Sequence, residues 1–159
     1  MLSLLLSAAL LGGVSATARM GESSPAPVIF ADLQSRVWYL EVGWDGSHKI
    51  ETGDGWLVDG SADCAIGPIT FGAGVAHRHT SQWTKTRGLA RLGFVRGPLR
   101  LIATAAIFSP NRERRLEARL RLRTHRLVVE PRAWVGTHRD SVRMGGPSWG
   151  LSSLIGVAW

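Results

Sequence analysis

The chain concentrates its chemically active side chains in segments where every second residue is charged. The run RRLEARLRLR, residues 114–123, places Glu117, Arg119 and Arg121 alternately with leucine or alanine. Arginine and carboxylate side chains can form paired salt bridges, and arginine alone can contact phosphate groups. The two chemistries open to this run are therefore an internal ion-pair network and a nucleic-acid contact.

The spacing of the leucines favours the first of these. In an α-helix Leu120 and Leu122 would lie about 200° apart around the axis, whereas in a strand they share one face. After THR, residues 124–126, the alternation resumes and continues to Val135. We therefore predict a β-hairpin with one apolar and one charged face, and we expect no nucleic-acid binding.

The same two-residue alternation recurs along the chain with no helical segment between its repeats. Consecutive strands without crossover helices form antiparallel sheets. We predict an all-β fold, an antiparallel up-and-down barrel of about eight strands. The strands are expected near residues 37–44, 49–58, 69–76, 90–94, 99–107, 116–123, 127–135 and 151–159.

The polar face of these strands carries full charges of both signs. A small barrel in a membrane turns its apolar face to lipid and fills its lumen with paired polar groups. The strands also approach the ~9–11 residues that a tilted membrane span needs. An exported soluble barrel that binds an apolar ligand remains open, since its outward face can also be charged. The predicted lumen charge network consists of Glu41, Arg91, Arg100, Glu117, Arg119, Arg121, Glu130 and Arg132.

The connections between strands support a membrane barrel by alternating in length. If the chain starts on the periplasmic side, every second connection should be short. The fourth, RGP, and the sixth, THR, are short, whereas the second, residues 59–64, is longer than this rule predicts. The long connections are expected to form basic extracellular loops that face lipopolysaccharide. Their predicted basic residues are His77, Arg78, His79, Lys85, Arg139 and Arg143.

Tryptophans provide a measure of the height of the barrel. Trp149 and Trp159 are ten residues apart on one face, which is roughly 23 Å of height at ~45° tilt. The aromatic girdles of membrane barrels lie about 25 Å apart. Trp38 and Trp44 share one face of the first predicted strand. We predict that these four tryptophans form the girdles.

The N-terminal region predicts an exported protein. Residues 1–18 have an apolar stretch from Leu2 to Val14 followed by ATA, which is typical of a signal peptide cleaved after Ala18. Residues 19–35 are predicted to be a flexible lead, and residues 36–159 the barrel domain. The net charge of +7 is uneven: residues 1–85 hold five basic and eight acidic residues, and residues 86–159 hold fourteen and four.

The export signal, the alternating strands and the ending LSSLIGVAW together resemble the small eight-stranded bacterial outer-membrane barrels, such as the OmpA transmembrane domain and OmpX. The resemblance is one of pattern over residues 36–159. It implies a monomeric outer-membrane protein with a structural or surface-binding role. It also implies contacts with membrane lipid and lipopolysaccharide, and recognition of the C-terminal strand by the barrel-assembly machinery. Pro68 and Pro131 depart from the pattern because proline removes a ladder donor.

Candidate catalytic groups are few. His138 and Ser141 resemble the catalytic pair of outer-membrane lipid A deacylases, but the spacing differs and no Glu follows His138. A nucleophile needs an adjacent, oriented base. His77 and His79 lack a third metal ligand nearby in the sequence. We expect no catalytic residue, metal or cofactor, with a lipid-modifying enzyme of the outer membrane as an open alternative.

Overall fold

The computed structural model describes residues 7–19, 22–35, 37–46, 55–80, 84–108, 114–137 and 147–159. These residues form ten β-strands of 8 to 13 residues. In chain order they are β1 (Ser7–Arg19), β2 (Glu22–Gln34), β3 (Trp38–Asp45), β4 (Gly55–Ile66), β5 (Ile69–Thr80), β6 (Thr84–Arg96), β7 (Leu99–Phe108), β8 (Arg114–Thr124), β9 (Leu127–Thr137) and β10 (Pro147–Ala158). The described part of the chain contains no helix long and apolar enough to cross a membrane.

Each strand pairs antiparallel with its sequence neighbours, and β1 pairs with β10 to close the ring. The closure extends to the last residue: the Trp159 N–H donates to the Ala8 carbonyl over 3.0 Å, and the Ala8 N–H donates to the Trp159 carbonyl over 3.2 Å. This confirms the prediction of a closed antiparallel up-and-down barrel. Because the sheet is closed, it has no free edge in the described ladders.

Three two-residue turns lie at one end of the barrel, at residues 67–68, 97–98 and 125–126. Gly67 and Gly97 precede proline and have positive φ angles of 56° and 57°. A two-residue hairpin with a positive φ only at its first position suits glycine there. His125 takes the same position with φ 51°, which is a less favourable conformation for a side chain with a Cβ atom. We call the end of the barrel that carries these three turns the turn end. We call the opposite end, where the chain connects through residues 46–54 and 138–146, the loop end.

The prediction of about eight strands is wrong, because two further strands occupy residues 7–34. The predicted signal peptide largely coincides with β1, and the predicted flexible lead largely coincides with β2. Pro25 and Pro27, which suggested flexibility, pair with Ala16 and Val14 in the β1–β2 ladder. Cleavage after Ala18 stays a prediction, and it would remove all of β1 except Arg19.

The second predicted connection, residues 59–64, is also wrong, since it lies inside β4. Its acidic and hydroxyl residues alternate with small residues, and the real turn follows at Gly67 and Pro68. Pro131 lies inside β9 without shifting its register: Val129 before it pairs with Leu122, and Arg132 after it pairs with Arg119.

The barrel interior contains two kinds of side chain. An apolar cluster packs between β1, β2, β9 and β10, and its members are Ala9, Leu11, Val28, Phe30, Val128, Leu154 and Ala158. The rest of the lumen is mostly polar, with buried Asp, Glu, Arg, Ser and Thr side chains beside a few buried hydrophobic residues such as Leu89 and Ile102. Strand β1 supplies two of the apolar residues and the closing ladder, so the barrel depends on a segment that resembles an export signal.

Deletion of residues 1–18 should prevent folding, because β10 and β2 would lose their shared partner. We expect the chain that begins at Arg19 to lack the compact, heat-modifiable form on a gel after refolding into lipid vesicles. The matched control begins at Ser7 and retains β1 whole. A chain from Arg19 that refolds with the urea midpoint of the control would show that β1 is dispensable and would support cleavage after Ala18.

Candidate functional site

The lumen is charged because β8 and β9 turn every second residue inward. Arg119 and Arg121 on β8 and Glu130 and Arg132 on β9 are each at most 6% exposed. Residues of the opposite parity on the same strands, such as Leu122 and Val135, are exposed on the outside of the barrel. Two adjacent strands thus place three guanidinium groups and one carboxylate inside a closed sheet.

Arg119 crosses the lumen to the opposite wall. Its guanidinium donates to Asp59 over 3.1 Å and to Glu41 over 3.2 Å, and it also donates to the Tyr39 hydroxyl over 2.7 Å. Its Nε donates to Glu117 on the same strand over 2.5 Å. In a ring of ten strands, β3 lies opposite β8. Arg119 therefore connects opposite walls through groups buried in the middle of the barrel.

Arg132 forms the second connection across the lumen. It donates to both carboxylate oxygens of Glu41, with 2.9 Å from Nη1 to Oε1, and its Nε donates to Glu130 over 2.5 Å. The Tyr39 hydroxyl donates to Glu41 over 2.5 Å. The Arg132 guanidinium also lies over the Phe30 ring, 4.3 Å from its centre. Glu41, which is fully buried, thus receives hydrogen bonds from Arg119, Arg132 and Tyr39.

Arg121 forms the third connection, towards the turn end. Its two terminal nitrogens donate to the two oxygens of Asp32 on β2, over 3.1 and 2.5 Å, and its Nε donates to Glu130. A bidentate guanidinium–carboxylate pair is geometrically specific and stronger than a single neutral hydrogen bond. Asp32 and Glu130 are 3% and 1% exposed, so this pair is shielded from water.

These residues form one connected cluster that we call the lumen network. Arg115 adds to it through a 2.9 Å salt bridge to Glu117, and Arg91 lies over the Tyr39 ring at 4.4 Å. The carboxylates and the guanidinium groups are equal in number, five of each, and most are buried. The members are Asp32, Glu41, Asp59, Glu117, Glu130, Arg91, Arg115, Arg119, Arg121 and Arg132.

All eight charged residues that the alternation pattern assigns to the lumen lie on the inner face. Seven belong to the lumen network, and Arg100 instead donates to Gln34. Asp32, Asp59 and Tyr39 were missed. Asp32 fell in the predicted flexible lead and Asp59 in a predicted connection, although both fit the alternation of their own strands.

The predicted basic loop residues lie mostly in strands, which corrects that prediction. His77, Arg78 and His79 belong to β5, and Lys85 belongs to β6. The two histidines face outward and contact Thr86 and Thr84 over 2.9 and 2.8 Å. Arg78 is buried and Lys85 is half-buried, and both line the lumen near the loop end.

Several other predicted residues lie outside the described residues: Arg139, Arg143, His138 and Ser141. Within the described residues, no group of three His, Cys, Asp or Glu side chains could hold a metal ion.

The four predicted girdle tryptophans lie at two levels of the outer surface. Trp38 and Trp159 are at the turn end, and Trp44 and Trp149 are at the loop end. Trp56 was missed; it pairs with Trp44 across the β3–β4 ladder and is 60% exposed. Trp56 lies in the predicted strand at residues 49–58, where the alternation of apolar and polar residues is weak, so the pattern did not identify it.

A cavity of about 80 Å³ lies between the lumen network and the loop end. Its wall includes Arg119 and Arg132 of the network, together with Trp134. The Trp134 ring lies 4.3 Å from the Arg115 guanidinium. A side chain at position 150 would collide with this ring, so Gly150 provides the space that it occupies.

No protein-family model matches the chain, and no curated protein matches it. Among solved structures, the chain is similar to the crystal structure of neisserial surface protein A, with 13% identity and a TM-score of 0.42 over 96% of each chain. At this TM-score and identity the similarity carries no argument about function.

Replacing Arg121 with leucine should destabilise the barrel, because it leaves Asp32 and Glu130 buried with fewer partners. Removal of one partner from a buried ion pair costs ~3–5 kcal/mol. Urea unfolding in lipid vesicles would measure the loss. Arg126→Leu, at an exposed turn residue, is the charge-matched control and should change the free energy of unfolding by less than ~0.5 kcal/mol.

The double variant Asp32→Asn/Arg121→Leu tests the pair itself. Its loss of stability should be smaller than the sum of the two single losses, since the groups share one interaction. Additive losses would contradict a direct Asp32–Arg121 interaction.

Proposed function

We propose that the protein is an integral β-barrel of a bacterial outer membrane, with a structural or surface-binding role. The observation that carries this proposal is the reversal of the usual burial pattern. Large exposed hydrophobic residues come from every strand, while most charged residues of the strands point into the lumen. The exposed hydrophobic residues include Leu10, Val14, Ile29, Leu33, Leu40, Val42, Val58, Phe71, Val75, Leu92, Leu101, Leu116, Leu122, Leu127, Val135, Leu151, Ile155 and Val157.

Such a surface is unfavourable in water. The largest apolar patch of a typical soluble monomer is about 300–600 Å², whereas here the apolar residues continue around the whole ring. A lipid environment removes that cost. Lipid cannot form hydrogen bonds with the backbone N–H and C=O groups of the strands, but a closed ladder pairs these groups with one another. The reversed burial pattern therefore favours a membrane over solvent.

The two levels of tryptophan support the same proposal. Trp and Tyr prefer the boundary between hydrocarbon and water. Trp38 and Trp159 would mark one boundary, and Trp44, Trp56 and Trp149 the other. The turn end would face the periplasm and the loop end the cell exterior, since the tight turns of such barrels are periplasmic. Lipopolysaccharide would then surround the loop end, where His77 and His79 face outward.

The lumen network supports a closed barrel over an open pore. Arg119, Arg121 and Arg132 join opposite walls through buried contacts, so the described lumen is obstructed at mid-height. An exported soluble barrel with an apolar ligand is less well supported, because this lumen is charged. A lipid-modifying enzyme has no further support, because its candidate residues His138 and Ser141 lie outside the described residues.

The outward face of β8 provides a direct test. Leu120 lies near the middle of β8 on the outer face, where an introduced arginine should cost ~2–4 kcal/mol in a bilayer. Val135→Arg, on the outer face near the loop end, is the depth control and should cost only ~0–1 kcal/mol. Both values come from urea unfolding in vesicles. Equal and small costs at the two depths would contradict a membrane-spanning barrel.

The C-terminal strand provides a test of assembly. Trp159 is 67% exposed and ends the strand that closes on β1. Trp159→Asp should reduce the amount of folded protein in the outer membrane of expressing cells, since it removes a girdle anchor and the proposed assembly signal. Trp38→Asp is the control, because it removes a girdle anchor at the same level and leaves the last strand intact.

The comparison of these two variants separates the anchor from the signal. We expect Trp159→Asp to reduce insertion in cells more than Trp38→Asp does, while both refold equally well into vesicles without cellular factors. Equal insertion of Trp159→Asp and Trp38→Asp in cells would show that the barrel-assembly machinery does not recognise Trp159.

A further inference from the structure

Two histidines lie side by side on the outer face of β5, near the loop end. His77 and His79 are both exposed, and Arg78 between them is buried in the lumen. Residues two apart on a strand share one face and lie roughly 6.6–6.8 Å apart along it. The two imidazole rings are therefore neighbours on the same surface of the barrel.

A threonine on β6 contacts each of these rings. The Thr86 hydroxyl oxygen lies 2.9 Å from His77 Nδ1, and the Thr84 hydroxyl oxygen lies 2.8 Å from His79 Nδ1. The contact is repeated because the β5–β6 ladder pairs His77 with Thr86 and His79 with Thr84. A threonine hydroxyl can accept a hydrogen bond from Nδ1–H, and in that tautomer Nε2 carries the lone pair.

This arrangement is the one that metal-binding histidines need. A histidine that ligates a metal ion through one ring nitrogen almost always donates the N–H of the other to a fixed acceptor, which sets the tautomer and orients the ring. Imidazole nitrogen is a preferred ligand of zinc, copper and nickel ions. We propose that His77 and His79 form a two-histidine site for a divalent transition metal ion on the outer surface of the barrel, oriented by Thr84 and Thr86.

The number of protein ligands determines what kind of metal site this is. Structural zinc sites have four protein ligands, whereas sites with fewer keep positions for water. Within the described residues, no third His, Cys, Asp or Glu completes a metal-binding group, so water fills the remaining positions of the ion. The site is therefore suited to reversible capture of an ion at the surface of the barrel and not to holding the fold together.

The sequence alone did not suggest this site, because two histidines without a third ligand are weak evidence for a metal. The threonines lie nine and five residues from their histidines along the chain. Only the register of β5 against β6 brings each hydroxyl to its ring. The evidence for the site is therefore the matched pair of hydroxyl contacts, which the structure adds to the spacing of the histidines.

The experiment measures Cu²⁺ binding to the full chain refolded into uncharged phosphatidylcholine vesicles, by titration calorimetry. Cu²⁺ is the probe because it binds nitrogen ligands more tightly than the other divalent first-row ions. The test variant is His77→Gln/His79→Gln. The control is His125→Asn, which removes an exposed imidazole at the turn end and keeps a residue type that tolerates a positive φ. We expect the test variant to weaken saturable binding about tenfold or more, and the control to bind like the unaltered chain.

Trp56 reports the position of the ion. It lies opposite His79 in the β4–β5 ladder and is 60% exposed, so Cu²⁺ bound at the site should quench its fluorescence. The quench should be smaller in Trp56→Phe, while calorimetry shows an unchanged affinity. A quench of the same size in Trp56→Phe would place the ion elsewhere and overturn the proposal.

The threonines are tested by Thr84→Val/Thr86→Val, which keeps the shape of both side chains and removes the hydroxyls. As partners that orient the ligands, they should contribute ~10–100-fold to the affinity. Thr124→Val, at the exposed end of β8, is the control and should leave the affinity unchanged. Full affinity in Thr84→Val/Thr86→Val would overturn the role of the hydroxyls in the site and show that they only pair the two strands.

Two further results would overturn the proposal. The first is the absence of saturable Cu²⁺ binding by the unaltered folded chain, and the second is equal affinity of the test variant and His125→Asn. The single variants His77→Gln and His79→Gln cover the case in which the double variant fails to fold, because loss of either ligand removes the chelate. The same titrations can be made in detergent and do not depend on whether the barrel spans a membrane, so the two proposals are tested separately.

Discussion

The salt bridges that cross the lumen are the interaction on which the rest of the structure depends. Charged groups inside a closed sheet are unfavourable unless each is paired, because the loss of hydration is large. Arg119 meets this condition through Glu117 on its own strand and through Glu41 and Asp59, which β3 and β4 place across the lumen from β8. The register of each strand is thereby constrained by partners several strands away. A shift of one residue would point the arginines to the outer surface and the leucines into the lumen.

The same alternation determines the outer surface. Each inward charge on β8 implies an outward leucine or alanine beside it, so the lumen network and the apolar belt follow from one pattern. Proline is tolerated in this pattern at position 131, where the register continues on both sides.

The sequence allowed the barrel, its closure and most of the lumen network to be predicted, because β8 alternates strictly between charged and apolar residues and β9 places Glu130 and Arg132 two residues apart on one face. The first two strands could not be recognised in this way. Ala9, Leu11 and Gly13 are inward residues of β1 that are no more polar than its outward Leu10 and Val14, so that strand shows no alternation. It faces the apolar cluster instead of the charges.

Asp32 and Asp59 were missed for a related reason: their strands had been assigned to a lead and a connection, and an isolated Asp next to small residues is typical of both.

The lumen network divides the described part of the lumen into two regions with different linings. Towards the turn end, Arg121 and Asp32 join β8 to β2 beside the apolar cluster, and tight turns connect the strands. Towards the loop end, the basic residues of β5 and β6 line a cavity. The two regions of the described lumen therefore differ in their lining, which is apolar beside Arg121 and Asp32 and basic beside Arg119 and Arg132.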